Sequence, residues 1–192
     1  MNVPNVLTLF RILLTFVFIV LLTKEGLGSK IFALIIFTLA SLTDFLDGYI
    51  ARKYDLISRF GKLMDPIADK FLILSAFFIF TQLRVIASWM FAVILAREVI
   101  VTGLRLFAVR KGQALAAEGA GKLKTVLQII SVYLIILFTI LVQLKVDVQG
   151  YEPMMRYVSI WINILMYLVV AVTLWSGISF VWNNRREIFN AR

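Results

Sequence analysis

The sequence predicts an all-α fold, a polytopic membrane bundle of six transmembrane helices that forms one domain over residues 1–192. Hydrophobic residues make up 61% of the chain, whereas an average soluble domain has about 45–50%. The mean hydropathy is +0.94. A membrane-spanning helix needs about 20 apolar residues. Six apolar runs are close to that length, at residues 6–23, 31–50, 63–83, 85–108, 123–144 and 157–182.

Each apolar run is predicted to form a helix, and the polar segments between the runs are predicted to form the connections. Backbone groups inside a bilayer must be hydrogen-bonded within their own segment, so long apolar runs without alternation favour helices over strands. The first run lacks a basic start and a small-residue cleavage site, so we expect a retained helix and not a signal peptide. The connections are predicted at residues 24–30, 51–62, 82–84, 109–122 and 145–156.

The distribution of basic residues orients the predicted bundle. Lysine and arginine are enriched in the cytoplasmic loops of membrane proteins. Segments 51–62 and 109–122 and the tail from Asn183 to Arg192 lie on the side that is richer in basic residues, whereas segments 24–30 and 145–156 lie on the poorer side. Both termini and segment 51–62 are therefore predicted to be cytoplasmic.

Composition limits the chemistry that the chain can perform. The chain contains neither cysteine nor histidine, which excludes disulfides, thiolate catalysis and a histidine acid or base. A bound metal ion would need oxygen ligands, which favours Mg²⁺, Mn²⁺ or Ca²⁺. The net charge is +9. Because the basic residues flank apolar runs, we expect them to contact anionic lipid headgroups and not nucleic acid.

Four aspartates stand in two pairs inside otherwise apolar sequence: Asp44 with Asp47, and Asp65 with Asp69. Carboxylates next to a bilayer are costly and indicate a functional site. The members of each pair are three or four residues apart, a spacing that puts both on one face of a helix. Pro66 suits a first helical turn, so we expect Asp65 to cap the start of the third helix.

The two acidic pairs are predicted to meet at one depth, because the chain leaves the second helix, makes a basic loop and returns in the third. Four carboxylates in close proximity repel one another unless cations neutralise them, and two divalent ions would balance their charge. Such a two-metal site binds the attacking and the leaving oxygen of a displacement. In an alternative interpretation the aspartates cap helices or form surface salt bridges with Arg52, Lys62 and Lys70. That alternative suits one aspartate better than four at this spacing.

The spacing D-x2-D-G-x2-A-R-x8-G-x3-D-x3-D resembles the signature of the CDP-alcohol phosphatidyltransferase family, and every fixed position is matched. The resemblance implies an enzyme that displaces CMP from a CDP-linked lipid with an alcohol hydroxyl, using two Mg²⁺ or Mn²⁺ ions. It implies that Asp44, Asp47, Asp65 and Asp69 bind the metal ions and that Asp69 is also the catalytic base. The residues that it implies for binding the CDP-lipid are Asn5, Thr8, Gly48, Arg52, Ser58 and Gly61.

A second cluster is basic and lies within the predicted fourth and fifth helices. Arg97 precedes Glu98, Arg105 follows on roughly the same face, and Lys122 and Lys124 open the fifth helix. Arginine and lysine side chains beside a metal site suggest an anionic acceptor, most simply a phosphate monoester. Alternatively, Arg97 and Glu98 form a structural ion pair, and the two lysines are ordinary cytoplasmic charges.

The segments R-E-V-I-V-T-G-L-R and G-K-L-K-T-x-x-Q resemble the branch of the family that uses sn-glycerol 3-phosphate as its acceptor. The resemblance covers the chain from Asn5 to about Gln128. It implies CDP-diacylglycerol and sn-glycerol 3-phosphate as substrates and phosphatidylglycerophosphate as the product of a step in phospholipid biosynthesis. It also implies a homodimer in a bacterial cell membrane, with the active site on the cytoplasmic side.

Other functions also fit parts of the sequence. The acidic motif alone suits other enzymes of the same family, such as cardiolipin, phosphatidylserine or phosphoinositol lipid synthases. A divalent-cation transporter would use aspartates too, but these lie near one membrane face and not at the midplane, where transport sites tend to lie. A non-catalytic membrane scaffold would not need four carboxylates there.

Overall fold

The computed structural model describes residues 3–54, 59–110, 119–144 and 151–185, with side chains for residues 8–43, 70–108, 121–144 and 155–185. This part of the chain is all-helical. Its six α-helices are α1 (Val3–Thr23), α2 (Leu27–Tyr54), α3 (Arg59–Gln82), α4 (Ser88–Arg110), α5 (Gly119–Leu144) and α6 (Tyr151–Asn183). The all-α prediction is confirmed, and each apolar run falls largely within one helix.

The helices extend beyond the apolar runs, which corrects the predicted boundaries. Helix α2 continues to Tyr54 and α3 begins at Arg59, so most of the predicted connection at 51–62 is helical. The polar residues of this segment include lysine and arginine, which form helices well. Asp65 therefore lies in the second turn of α3 and does not cap its start, and Pro66 lies inside the helix.

The predicted turn at residues 82–84 is confirmed, and its geometry explains how α3 ends. The Val85 amide donates to the Phe80 carbonyl at 2.9 Å, and the Arg84 amide donates to the Thr81 carbonyl at 3.0 Å. These two bonds form a Schellman motif, in which the residue after the helix cap adopts the left-handed conformation. Arg84 has a φ of 57°. That conformation costs a residue with a Cβ about 1–2 kcal/mol, so glycine would be favoured here.

The core is formed by residues of all six helices, with its largest aromatic side chains where α1, α2, α3 and α5 meet. Phe18 of α1 and Phe37 of α2 are fully buried, with ring centroids 5.5 Å apart. The Phe37 ring also meets the Tyr133 ring of α5 edge to face at 5.1 Å. The Tyr133 hydroxyl donates to Thr38 Oγ1 at 3.2 Å. Helix α6 packs on both α5 and α4, and α4 also packs on α3.

The outer surface of the bundle carries many large apolar side chains, as expected of helices in contact with lipid. Phe32, Trp161 and Ile178 are examples, each more than half exposed. Among the residues whose side chains are described, Gly121–Leu144 and Met155–Asn183 are long and apolar enough to cross a membrane. The helical membrane architecture is thus supported, whereas the count of six spans and the cytoplasmic termini stay predictions.

Candidate active site

The four aspartates of the acidic motif lie at one end of α2 and α3. Asp44 and Asp47 belong to the last turns of α2, and Asp65 and Asp69 to the first half of α3. Helix α2 ends at Tyr54 and α3 begins at Arg59, and helices so close in sequence are typically antiparallel neighbours. The two pairs therefore start at similar distances from the connection. Their side chains lie outside the described residues, so their role as metal ligands stays a prediction.

The start of α1 lies at the same end, because the short connection after Thr23 makes α1 antiparallel to α2. Thr8, which was predicted to face the nucleotide, is buried at this end. The Asn5 side chain lies outside the described residues, as do the side chains of Gly48, Arg52, Ser58 and Gly61.

Arg11 is a buried cation of α1 that the sequence interpretation missed. It is only 1% exposed, and a buried charge is costly unless it is paired. Arg11 lies three residues after Thr8, and therefore on the same side of α1. The signal was present in the sequence, since Arg11 is the one charged residue of the apolar run at 6–23. Its position at the acidic end makes it a further candidate for this site.

A buried polar cluster connects α3, α4 and α5 near the acidic end. We call Lys70, Arg97, Glu98 and Lys124 the Glu98 cluster. The Lys124 ammonium donates to Glu98 Oε1, and Arg97 Nη1 lies 3.4 Å from the same oxygen. Lys70 Nζ lies 3.4 Å from Glu98 Oε2 and also donates to Thr102 Oγ1.

Among the residues whose side chains are described, the Glu98 cluster contains more cations than carboxylates. Three cations surround the Glu98 carboxylate, whose side chain is 4% exposed. Arg97 Nη2 also donates to Ser176 Oγ at 2.6 Å, so the cluster ties α6 to the other helices. The ion pair between Arg97 and Glu98, expected from the sequence as an alternative, is present. An anion that entered this region would meet cations already held in place.

A cavity of about 20 Å³ lies against the Glu98 cluster and is lined by Lys70, Glu98, Lys124, Thr125 and Gln128. A space of this size holds about one water molecule. Gln128 is 3% exposed, and its Nε2 has no hydrogen-bond partner among the described residues. Sequence interpretation did not assign Lys70 or Gln128 to the site. The sequence did contain a signal for Lys70, since it directly follows Asp69 of the acidic motif.

The structure brings together only part of the predicted acceptor pocket. Arg97 and Lys124 both contact Glu98. Arg105 is exposed, and its guanidinium lies 5.6 Å from the centroid of the Phe180 ring in a cation–π contact. Lys122 is exposed as well, because it lies two positions before Lys124 and so on another side of α5.

The sequence profile of the CDP-alcohol phosphatidyltransferase family matches residues 1–175. The chain belongs to this family. The match runs from α1 into the second half of α6 and includes the whole acidic motif and the Glu98 cluster. The family resemblance carried by the eight fixed positions of the motif is thereby confirmed.

Known relatives from several bacteria are similar over most of the chain. A protein named CDP-diacylglycerol–glycerol-3-phosphate 3-phosphatidyltransferase from Bacillus subtilis strain 168 is 40% identical over 148 residues, which cover 71% of this chain and 77% of the relative. A protein of the same name from Escherichia coli K12 is 30% identical over 98% of each chain. A probable phosphatidylglycerophosphate synthase from Mycobacterium tuberculosis H37Rv is 32% identical over 100% of this chain and 85% of the relative.

Proposed function

We propose that this chain transfers the phosphatidyl group from CDP-diacylglycerol to sn-glycerol 3-phosphate and releases CMP. The product is phosphatidylglycerophosphate, an intermediate of phospholipid biosynthesis. The observation that carries the proposal is family membership over residues 1–175 together with a complete acidic motif. The relatives named for this activity share 30–42% identity with the chain, and this supports sn-glycerol 3-phosphate over other acceptors.

The residues of the acidic motif fit a pair of Mg²⁺ or Mn²⁺ ions. Without histidine or cysteine, the donor set consists of oxygen atoms, as these hard cations require. The backbones of α2 and α3 place the two pairs at one end of the bundle. Asp44, Asp47, Asp65 and Asp69 would hold the ions, which would neutralise the charge of the substrate pyrophosphate when bound.

The proposed reaction is one displacement at phosphorus. An acceptor hydroxyl oxygen forms a bond to the phosphatidyl phosphorus, and the bond from that phosphorus to the CMP oxygen breaks. Asp69 takes the hydroxyl proton, and CMP leaves with the electron pair of the broken bond. Transfer of this kind depends mainly on positioning and charge stabilisation, so no histidine or cysteine nucleophile is needed. The residues proposed to position the CDP-lipid are Asn5, Thr8, Gly48, Arg52, Ser58 and Gly61.

We assign the phosphate of the acceptor to the basic residues of α4 and α5, that is Arg97, Arg105, Lys122 and Lys124. Arg97 and Lys124 of this set contact Glu98 near the acidic end. The cavity of about 20 Å³ there holds about one water molecule, so the acceptor phosphate would bind at its rim and not inside it. Three cationic side chains converge there, and cationic donors suit a phosphate monoester better than a neutral alcohol. Lys70 of the same cavity is added to this assignment.

We also propose a homodimer with six transmembrane helices per chain in a bacterial cell membrane. The termini and the acidic motif are placed on the cytoplasmic side. The orientation is supported by the higher frequency of basic residues in the segments at that end. The location is supported by the bacterial origin of the relatives, and the homodimer rests on the family resemblance alone.

The proposed function is tested with purified protein, CDP-diacylglycerol, labelled sn-glycerol 3-phosphate and Mg²⁺, and CMP release is measured. We expect EDTA to abolish release and Mg²⁺ or Mn²⁺ to restore it. Full activity in EDTA would contradict the metal site. Glycerol, serine, inositol phosphate and phosphatidylglycerol serve as competing acceptors. Faster turnover with any of them than with sn-glycerol 3-phosphate would contradict the assigned acceptor and indicate another branch of the family.

A further inference from the structure

A second polar cavity lies at the end of the bundle opposite the acidic motif. It opens between the start of α2, the α3–α4 turn, the end of α5 and the first turns of α6, and its volume is about 370 Å³. Pockets that bind small ligands have volumes of about 300–1,000 Å³. The polar residues that line it are Lys30, Arg84, Thr139, Gln143 and Ser159.

Lys30 is a buried cation with little to balance its charge. It is 4% exposed, and its ammonium donates to the Leu22 carbonyl. An ammonium group has three donor positions. Lys30 forms no ion pair with any described residue, and Glu25 on the preceding turn is exposed to solvent. The exposed Glu25 carboxylate attracts Lys30 without direct contact, and a desolvated ammonium that contacts only one carbonyl is incompletely compensated, so an anion beside Lys30 would be stabilised.

Arg84 brings a second positive charge to the same cavity. It occupies the left-handed position of the α3–α4 turn, with a φ of 57°, where glycine would be easier to accommodate. Its guanidinium forms no ion pair within the described part of the chain. No carboxylate is among the described residues that line the cavity, whereas Gln143 and Ser159 add neutral hydrogen-bonding groups. The cavity is therefore a positively charged one.

We propose that this cavity binds the phosphate group of an anionic phospholipid at the membrane face opposite the acidic motif. Lys30 and Arg84 hold the phosphate, and Gln143 and Ser159 bind the polar headgroup beside it. The other lining residues are apolar, and two of them, Leu83 and Val142, are exposed on the outer surface of the bundle. Acyl chains would contact this surface, which favours a lipid over free phosphate.

The site is tested by native mass spectrometry of the full chain in neutral detergent. Dioleoylphosphatidylglycerol, dioleoylphosphatidylcholine and inorganic phosphate are titrated separately. We expect one phosphatidylglycerol to bind selectively per chain. Lys30→Gln and Arg84→Gln should each raise its dissociation constant about tenfold or more, because each removes one charge-assisted contact.

Matched variants distinguish the site from general attraction to a basic surface. Lys24→Gln removes an exposed charge from the same end of the bundle and should leave lipid binding unchanged. Lys30→Arg should retain binding because it keeps the charge. Arg84→Gln tests the cavity even if Lys30→Gln does not fold, since Arg84 is exposed on a turn. Unchanged affinity in Arg84→Gln would overturn the site, and equal binding of inorganic phosphate would overturn the lipid assignment.

Discussion

Lys124 and Lys30 are both buried lysines of one bundle, but their partners differ. The Lys124 ammonium donates to the Glu98 carboxylate, whereas the Lys30 ammonium donates to the main-chain carbonyl of Leu22. A carboxylate offsets the charge of a buried ammonium, and a carbonyl only replaces part of its hydration. Lys124 is in direct contact with a carboxylate, whereas no described carboxylate contacts Lys30 directly.

The two ends of the bundle also differ in their charged groups. At the acidic end the motif supplies four carboxylates, and Glu98 lies nearby among Lys70, Arg97 and Lys124. The cavity at the opposite end has cations but no carboxylate among its described lining residues. We infer that metal-dependent chemistry belongs to the first end, whereas the second is suited to binding an anion without catalysis.

The largest expected effect comes from removing a carboxylate of the acidic motif, compared with removing one at the opposite end. Asp69→Asn should lower kcat by about 10²–10⁴-fold, because it removes the proposed base, and it should weaken metal binding as well. Glu25→Gln, an exposed carboxylate at the opposite end, is the control and should leave CMP release unchanged. Near-normal turnover of Asp69→Asn at saturating Mg²⁺ would contradict both roles of Asp69.

The next largest effect is on the free energy of unfolding, which should respond differently to the loss of the partner of Lys124 and to the loss of Lys30. Glu98→Gln removes the carboxylate that the Lys124 ammonium contacts. Removing one partner of a buried ion pair destabilises a protein by about 3–5 kcal/mol. Lys30→Met removes a buried charge that contacts no described carboxylate directly, so it should cost much less stability than Glu98→Gln. The free energy of unfolding in mixed detergent micelles measures both, and a larger loss in Lys30→Met than in Glu98→Gln would reverse the comparison.

A smaller effect is expected on acceptor binding. Lys124→Gln should raise the KM for sn-glycerol 3-phosphate about tenfold, since a charge-assisted hydrogen bond contributes about 1.5–3 kcal/mol. The KM for CDP-diacylglycerol should change little. Lys122→Gln is the matched variant, because Lys122 is the exposed neighbour on the same helix. Equal effects of both variants would indicate that burial beside Glu98 is not what positions the acceptor phosphate.

The fold and the acidic end could be predicted from the sequence because their signals are local. Apolar runs of helical length located the six helices, and the motif placed four aspartates on two consecutive helices. The predicted boundaries of the connection at 51–62 were wrong. Hydropathy marks where the apolar residues end, but polar residues also form helix, so α2 extends to Tyr54 and α3 begins at Arg59.

Contacts between distant helices could not be predicted in the same way. Glu98 meets Lys70 of α3 and Lys124 of α5, and no spacing along one helix indicates such a meeting. The basic cluster of α4 and α5 was predicted as a set, but the rotation of each helix decides which members turn inward. That rotation buries Lys124 and exposes Lys122. The cavity between Lys30 and Arg84 likewise depends on four helix ends that are far apart in the sequence.

The smallest expected effect concerns the contact that holds Arg97 at the Glu98 cluster. A Cβ at Gly177 would lie 3.0 Å from Arg97 Cγ, whereas a Cβ at Gly103 would meet nothing within 4 Å. Both glycines lie inside helices, where alanine is favoured by about 0.5–1 kcal/mol. Gly103→Ala should gain this amount in its free energy of unfolding. Gly177→Ala should gain less or lose stability, because Arg97 must shift from Ser176 and Glu98. The difference between the two variants measures the cost of displacing Arg97, and equal gains would mean that Arg97 adjusts freely and that its contacts contribute little to stability.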